Sequence, residues 1–217
     1  MSKIIYLPGW LNTGKNLRPL ADLTGGESLD LPVPDRAWSV NDYADWAAEQ
    51  ITEPSYVAGH SFGGKIALAA AARHPEKVLG IFIVAGSNRG RLIFRLLRPL
   101  IKIAKWMRLP GRRFQTADYK NSPPAMREVM KKTLAFDIVP LARKIQCPAA
   151  FIYGSADKIT PPKLGRRLAR ETPGAKFHLL NGFGHNTIIT DGAWQAAAII
   201  KSLARDIRAA GHGAGHE

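Results

Sequence analysis

Cysteine is nearly absent from the 217 residues: Cys147 stands alone, so no intrachain disulfide can form, and a reducing compartment is expected. Long apolar runs are scarce as well. The longest near-continuous one, Val78-Leu-Gly-Ile-Phe-Ile-Val-Ala-Gly86, falls far short of the roughly 20 residues that a bilayer-crossing helix needs. Met1-Ser-Lys leads into Ile-Ile-Tyr-Leu, too brief for the apolar heart of an export signal, and the expected location is cytoplasmic. No Cys/His/Asp/Glu group has metal-ligand spacing, and no glycine-rich loop precedes a Lys-Ser/Thr pair. Neither a metal nor another cofactor is therefore expected. Acidic residues are also few, 17 against 31 Lys+Arg, for a formal net charge of +14. That imbalance bears on partners rather than on fold. Nucleic acid is not expected among them, because no recognition motif and no aromatic platform interleaves with the cations.

What is present reads as one globular, core-bearing domain: 46% hydrophobic, 22% charged, with 20 Gly and 15 Pro. Short apolar runs predict six strands, at Ile4 to Leu7, Ser28 to Leu31, Tyr56 to Ala58, Leu79 to Val84, Ala149 to Tyr153 and Lys176 to Leu180. Helical patterns lie between them. Ser39 with Asp42 three residues on predicts a capped helix, Gly63 to His74 a second stopped by Pro75, and Leu164 to Arg170 and Ala196 to Ile207 two more. Such alternation implies an α/β fold, a mostly parallel doubly wound sheet with helices on both faces. Arg89 to Ile145 contains no strand-like run, so residues 1–87 and 146–217 form the expected core, with a helical cap inserted at 88–145. The tail Gly211 to Glu217 is expected to fray.

Nine cations and no acid lie between Ser87 and Gln115. From Arg91 through Arg95, Arg98, Lys102 and Lys105 to Arg108 the spacing is 4, 3, 4, 3, 3, which sets them on one helical face and leaves Phe94, Trp106 and several leucines elsewhere. This basic amphipathic segment is either a solvated cap surface or a binding face for an acidic carrier protein or an anionic lipid surface.

The chemistry is concentrated in three loops. Gly59-His60-Ser61-Phe62-Gly63-Gly64 follows a strand and opens an alanine-rich helix, the context of a nucleophile elbow. Ser61 is the candidate nucleophile, and the Phe62 amide at the helix start is a donor for a developing oxyanion. A serine needs a base, and the base needs an acid to hold its tautomer. Asp157 in Gly154-Ser-Ala-Asp157-Lys-Ile-Thr-Pro161 and His185 in Asn181-Gly-Phe-Gly-His185 follow the last two strands, so both emerge on the same sheet edge as Ser61. His60, His74 and His178 read as structural, and Cys147 as a buried small hydrophobe.

With Leu7-Pro-Gly-Trp10, Asp30-Leu-Pro, the elbow, Gly154 to Pro161 and Gly184-His185, the chain resembles the α/β-hydrolase superfamily from Ile4 to Ile207. The resemblance implies an oxyanion hole completed by the Trp10 amide. It also shows two departures: Pro8 where relatives usually carry histidine, and a sheet shortened at its N-terminal edge. The run Gly9-Trp10-Leu11-Asn12 is similar to the pimeloyl-[acyl-carrier protein] methyl ester esterase group, and the cap segment is similar to small-ester and meta-cleavage hydrolases. The resemblance implies a serine hydrolase for a small-molecule ester or acyl substrate. The alternatives are carbon–carbon bond hydrolysis of the meta-cleavage type and, in another class, a lipid-binding module on a hydrolase scaffold.

If the cationic stripe steers substrate, replacing Arg95, Arg98 and Lys102 together by Gln will lower kcat/KM for an anionic ester about tenfold relative to a neutral one. The wild-type preference will also fade as salt rises toward 0.15 M, where the screening length is about 8 Å. Equal losses on both esters would make the segment a structural roof only.

Overall fold

The computed structural model describes residues 2–86 and 117–213, with the backbone alone for residues 117, 118, 208 and 210–213. The stripe Arg91, Arg95, Arg98, Lys102 and Lys105, together with Trp106, lies outside the described residues.

Among the described residues there are six strands: β1 (Ile4–Leu7), β2 (Glu27–Ser28), β3 (Ser55–His60), β4 (Val78–Val84), β5 (Ala149–Gly154) and β6 (Lys176–Leu180). They form one sheet in the order β2-β1-β3-β4-β5-β6, and every pairing is parallel. The helices are α1 (Arg18–Thr24), α2 (Val40–Glu49), α3 (Phe62–Arg73), α4 (Ala117–Asn121), α5 (Pro124–Ala135), α6 (Val139–Ala142), α7 (Pro162–Glu171) and α8 (Ala193–Gly213). No described helix is long and apolar enough to cross a membrane.

Because strand side chains alternate between faces, each central strand feeds two cores. Ile5, Leu7, Val57, Ile81, Ile83, Phe151 and Tyr153 pack under α2, α3 and α7. Ile4, Tyr6, Tyr56, Ala58, Phe82, Val84 and Ile152 pack under α1 and α8. Near-continuous apolar residues along β3, β4 and β5, broken by the buried Ser55 and His60 at the ends of β3, are thus the signature of strands covered on both faces, as the sequence predicts.

Three elements differ from expectation, the first being α1 (Arg18–Thr24), where the sequence pattern predicts no helix. The second strand is not Ser28 to Leu31 but two residues, Glu27–Ser28, with one more bond to β1 from the Leu29 amide to the Tyr6 carbonyl at 3.0 Å. Beyond it Pro32 has no amide hydrogen to give a ladder, and the Asp30 carboxylate turns to accept the Gly14 amide at 2.6 Å. The last helix begins at Ala193 rather than Ala196, because Ala193, Ala196, Ala197, Ile200 and Ala204 form one buried stripe. Its backbone continues through Gly211 to Gly213, where the sequence predicts a frayed tail. Elsewhere local signals and structure agree: the Ser39 hydroxyl accepts the Asp42 amide, and the Asp42 carboxylate accepts the Ser39 amide in return.

Lys65 of α3 is 2% exposed, and its ammonium donates to the carbonyls of Thr133 at 2.8 Å and Phe136 at 3.4 Å. These are terminal carbonyls of α5, which have no intrahelical donor, so a cation there both satisfies them and opposes the helix dipole. Burial lowers the Lys65 pKa to about 8, against the pull of Asp137 toward the charged form. The unfolded chain holds this proton to about pH 10.4, so between pH 8 and 10 it binds more protons than the folded protein and stability rises with pH. Compared with Lys65→Met in urea titrations, the wild type will gain on the order of 2 kcal/mol across that window. Parallel profiles for the two proteins would refute the assignment.

Candidate active site

The elbow is built by close backbone contact. Ser61 sits between β3 and α3 with φ 54° and ψ −111°, a conformation that L residues rarely adopt. A Cβ at Gly59 would lie 2.2 Å from the Gly63 carbonyl oxygen, and one at Gly63 would lie 2.0 Å from the Leu7 carbonyl oxygen. Only glycine fits either position, and this lets α3 start directly against β1 and β3. The Ser61 amide donates to the Val84 carbonyl at 3.0 Å, which leaves a half-buried serine ahead of the positive end of α3. No acidic residue occupies the first turn of that helix.

The loop after β1 lies against the elbow. Gly9-Trp10-Leu11-Asn12 is a turn closed by the Asn12 amide on the Gly9 carbonyl at 3.0 Å, with Leu11 at φ 58°. A Cβ at Gly9 would come 3.6 Å from the Ser61 Cβ. β1 and β3 are neighbours from which the chain departs in opposite directions along the sheet, the switch point where α/β folds hold ligands. The Trp10 indole donates to the Met126 carbonyl of α5 at 3.2 Å. Neither the Trp10 nor the Phe62 amide has an acceptor among the described residues.

Asp157 and His185 meet from the loops after β5 and β6. The Asp157 side chain is fully buried. One oxygen, Oδ1, accepts the amides of Ile159 and Thr160, both at 2.8 Å. The other, Oδ2, accepts Nδ1 of His185 at 2.9 Å and is reached by the Thr160 hydroxyl at 2.7 Å. That hydroxyl also lies 2.9 Å from the Ala85 carbonyl, and its single proton serves one acceptor at a time. Burial pushes the carboxyl up, but the bonds from His185 and Thr160 outweigh it and hold its pKa below the ordinary value. An ionised carboxylate only accepts, so Nδ1 of His185 carries the hydrogen and Nε2 of the neutral ring presents a lone pair.

His60, immediately before Ser61, is 1% exposed, and its ring centroid lies 4.8 Å from that of His185. Its Nε2 is 2.9 Å from the His185 backbone carbonyl, which can only accept, so Nε2 is the protonated nitrogen. Burial lowers the His60 pKa to about 4, helped by the proximity of His185. His60 is therefore a neutral strut under the His185 loop. The sequence gives no hint of this bond, whereas the Thr160 contact has a local signal in the three-residue step from Asp157.

The remaining histidines and the cysteine lie apart. His74 bonds Asp45 at 2.7 Å beside Arg73, and half-buried His178 sits on the edge strand β6. Burial raises the Cys147 thiol to about 11, which keeps it protonated and unreactive at neutral pH. No group of three His, Cys, Asp or Glu residues among the described ones is placed to hold a metal ion.

Because the unfolded chain takes up a proton at His60 near pH 6.5 and the folded one only near pH 4, stability falls as pH drops through that interval. Between pH 6.5 and 4.5 the wild type will lose on the order of 2 kcal/mol more than His60→Gln. Guanidinium unfolding at the two pH values measures it, and an equal loss in both proteins would contradict a buried neutral histidine.

Residues 33–191 match the family described as serine aminopeptidase, S33 (Hydrolase_4). The span contains Ser61, Asp157 and His185 and begins after Trp10. The chain is 25% identical to a pimeloyl-[acyl-carrier protein] methyl ester esterase of Neisseria meningitidis, over 85% of this chain and 87% of that protein. It is 29% identical to a protein of the same name from Chromobacterium violaceum, over 73% and 72% of the two chains. The enol-lactonase from Burkholderia xenovorans shares the fold with a TM-score of 0.69 at 20% identity, over 94% of this chain and 91% of that one. With the all-parallel sheet and its two helical layers, the match places this chain in the serine aminopeptidase, S33 (Hydrolase_4) family, as an enzyme of the serine-hydrolase esterase type within the α/β hydrolases.

Proposed function

We propose that the protein cleaves a carboxylic ester or thioester through an acyl-enzyme on Ser61. The observation that carries this reading is the bond from Nδ1 of His185 to the buried Asp157 carboxylate, which leaves Nε2 as the acceptor in the loop beside the elbow. Nε2 takes the Ser61 hydroxyl proton as Oγ attacks the substrate carbonyl. Asp157 then faces an imidazolium and stabilises it. The negative charge on the former carbonyl oxygen falls to the amides of Trp10 and Phe62, which have no acceptor among the described residues. His185 returns the proton to the departing alcohol or thiol, and the acyl group stays on Ser61. Water, deprotonated by the same Nε2, attacks the acyl-enzyme, and the acid leaves with Ser61 restored. Each step moves one proton between Ser61, His185 and substrate or water, and no cofactor takes part.

The relatives named for an ester on an acyl-carrier protein support a small ester as the substrate, with an acidic carrier as the partner that a chain of net charge +14 would attract. In this reading the described part of the insertion, residues 117–145, caps the Ser61 edge of the sheet, and the indole bond from Trp10 to Met126 ties α5 to the oxyanion turn. A cytoplasmic enzyme fits the single cysteine and the substrate class.

Ser61→Ala will lower kcat for a short p-nitrophenyl ester by about 10⁴-fold or more. Asp157→Asn, which no longer holds the His185 tautomer, will lower it by about 10³ to 10⁴. Steady-state kinetics on purified, folded variants measures both, and Ser61→Ala activity within tenfold of wild type would overturn the proposal.

A further inference from the structure

A cavity of about 170 Å³ opens beside the oxyanion turn, and neither the family match nor the proposed chemistry assigns it a role. Its lining includes Trp10 and Phe62, the residues whose amides face the oxyanion in the proposed reaction. In the proposed reaction a carbonyl held on those amides is therefore adjacent to this lining. The remaining apolar lining is Leu11, Leu31, Val33 and Met126, of which Met126 is 3% exposed and is fixed from both sides. Its carbonyl accepts the Trp10 indole, and its sulfur lies 3.7 Å from the Tyr43 hydroxyl. At about 30 Å³ for each water-sized group, the space holds about five heavy atoms.

Among the described residues one charged group lines the cavity, the carboxylate of Asp30. Asp30 is exposed, and its Oδ1 accepts the Gly14 amide at 2.6 Å, which holds the carboxylate in place at the rim. A fixed carboxylate at an apolar pocket tolerates a methyl or a hydrogen-bond donor at the end of a bound chain and repels a second carboxylate.

We propose that this cavity is the subsite for the short arm of the ester, an unbranched alkyl group of up to about five carbons, and that Asp30 turns away an arm ending in a carboxylate. The proposal rests on the ester-hydrolase reading and adds its substrate class. The same alkyl chemistry can belong to the acyl or to the alcohol side, and two substrate series distinguish them.

Wild-type enzyme is assayed with p-nitrophenyl esters of increasing acyl length and with acetates of increasing alcohol length. In one series kcat/KM will rise about fourfold per methylene, the worth of burying one CH₂, and break at about four or five carbons. The series that breaks names the arm. Val33→Trp, which fills the rim at an exposed position, will move the break to shorter chains, and Met126→Ala, which enlarges the floor, will move it to longer ones. Opposite shifts cannot come from a general loss of folding. Asp30→Asn, which keeps an oxygen for the Gly14 amide, will raise kcat/KM for a carboxylate-tipped arm about tenfold relative to its uncharged isostere. Turnover without a break in either series, shifts in the same direction, or an unchanged Asp30→Asn ratio would overturn the subsite. Failure of the wild type to hydrolyse any ester in either series would overturn the ester-hydrolase reading itself.

Discussion

Helix α3 approaches the sheet so closely that backbone touches backbone, and the site is arranged around that contact. Gly63 passes against the carbonyl of Leu7 on β1, and Gly59 against the carbonyl of Gly63. A side chain at either place would push the helix away from both strands. With the helix seated, the chain must turn from strand to helix within one residue, and Ser61 takes up the turn at φ 54°. The strain is local, whereas the packing that sustains it is spread over Ile66, Ala67, Leu68 and Ala70, all buried under the neighbouring helices and strands. The same contact brings the loop after β1 beside Ser61, because Leu7 leads directly into Gly9 and Trp10. One steric constraint thus positions both a hydroxyl and a pair of amides.

The opposite wall of the site is held by electrostatics rather than by sterics. Asp157 is buried as an anion, a state that its hydrogen-bond partners make tolerable. Two amides and the Thr160 hydroxyl fix its plane, and His185 completes the set. His60 approaches the same histidine from below through its main-chain carbonyl. His185 is thus constrained at its ring by one partner and at its backbone by another, and this arrangement selects one tautomer and limits the directions in which the ring can point. Lys65 plays a comparable part further out: its buried ammonium ties the carbonyl end of α5 to α3, so the segment that presents Met126 to Trp10 is anchored to the elbow helix.

Much of this was legible in the residues. The six apolar runs, their alternation with helical patterns and the turn residues between them specify a parallel sheet, because the central strands, covered on both faces, are almost wholly apolar. The elbow was legible because its glycines are demanded by backbone contact, and the loops of Asp157 and His185 because they follow strands. The second strand is shorter than its sequence suggests, since Ser28 to Leu31 looks β-like in isolation while its length is set by Pro32 and by the Gly14 amide that claims Asp30, a tertiary partner. The bonds of His60 and Lys65 to carbonyls at sequence separations of 125 and 68 leave no local pattern at all.

That Ser61 Oγ is the nucleophile that takes up the acyl group is tested most directly by stoichiometric trapping. With a p-nitrophenyl dialkyl phosphate, the account predicts one equivalent of p-nitrophenolate released per chain, activity lost in proportion, and the dialkylphosphoryl mass on the peptide that carries Ser61. Phosphorylation at any other residue, or full inactivation with the Ser61 peptide unmodified, would contradict it.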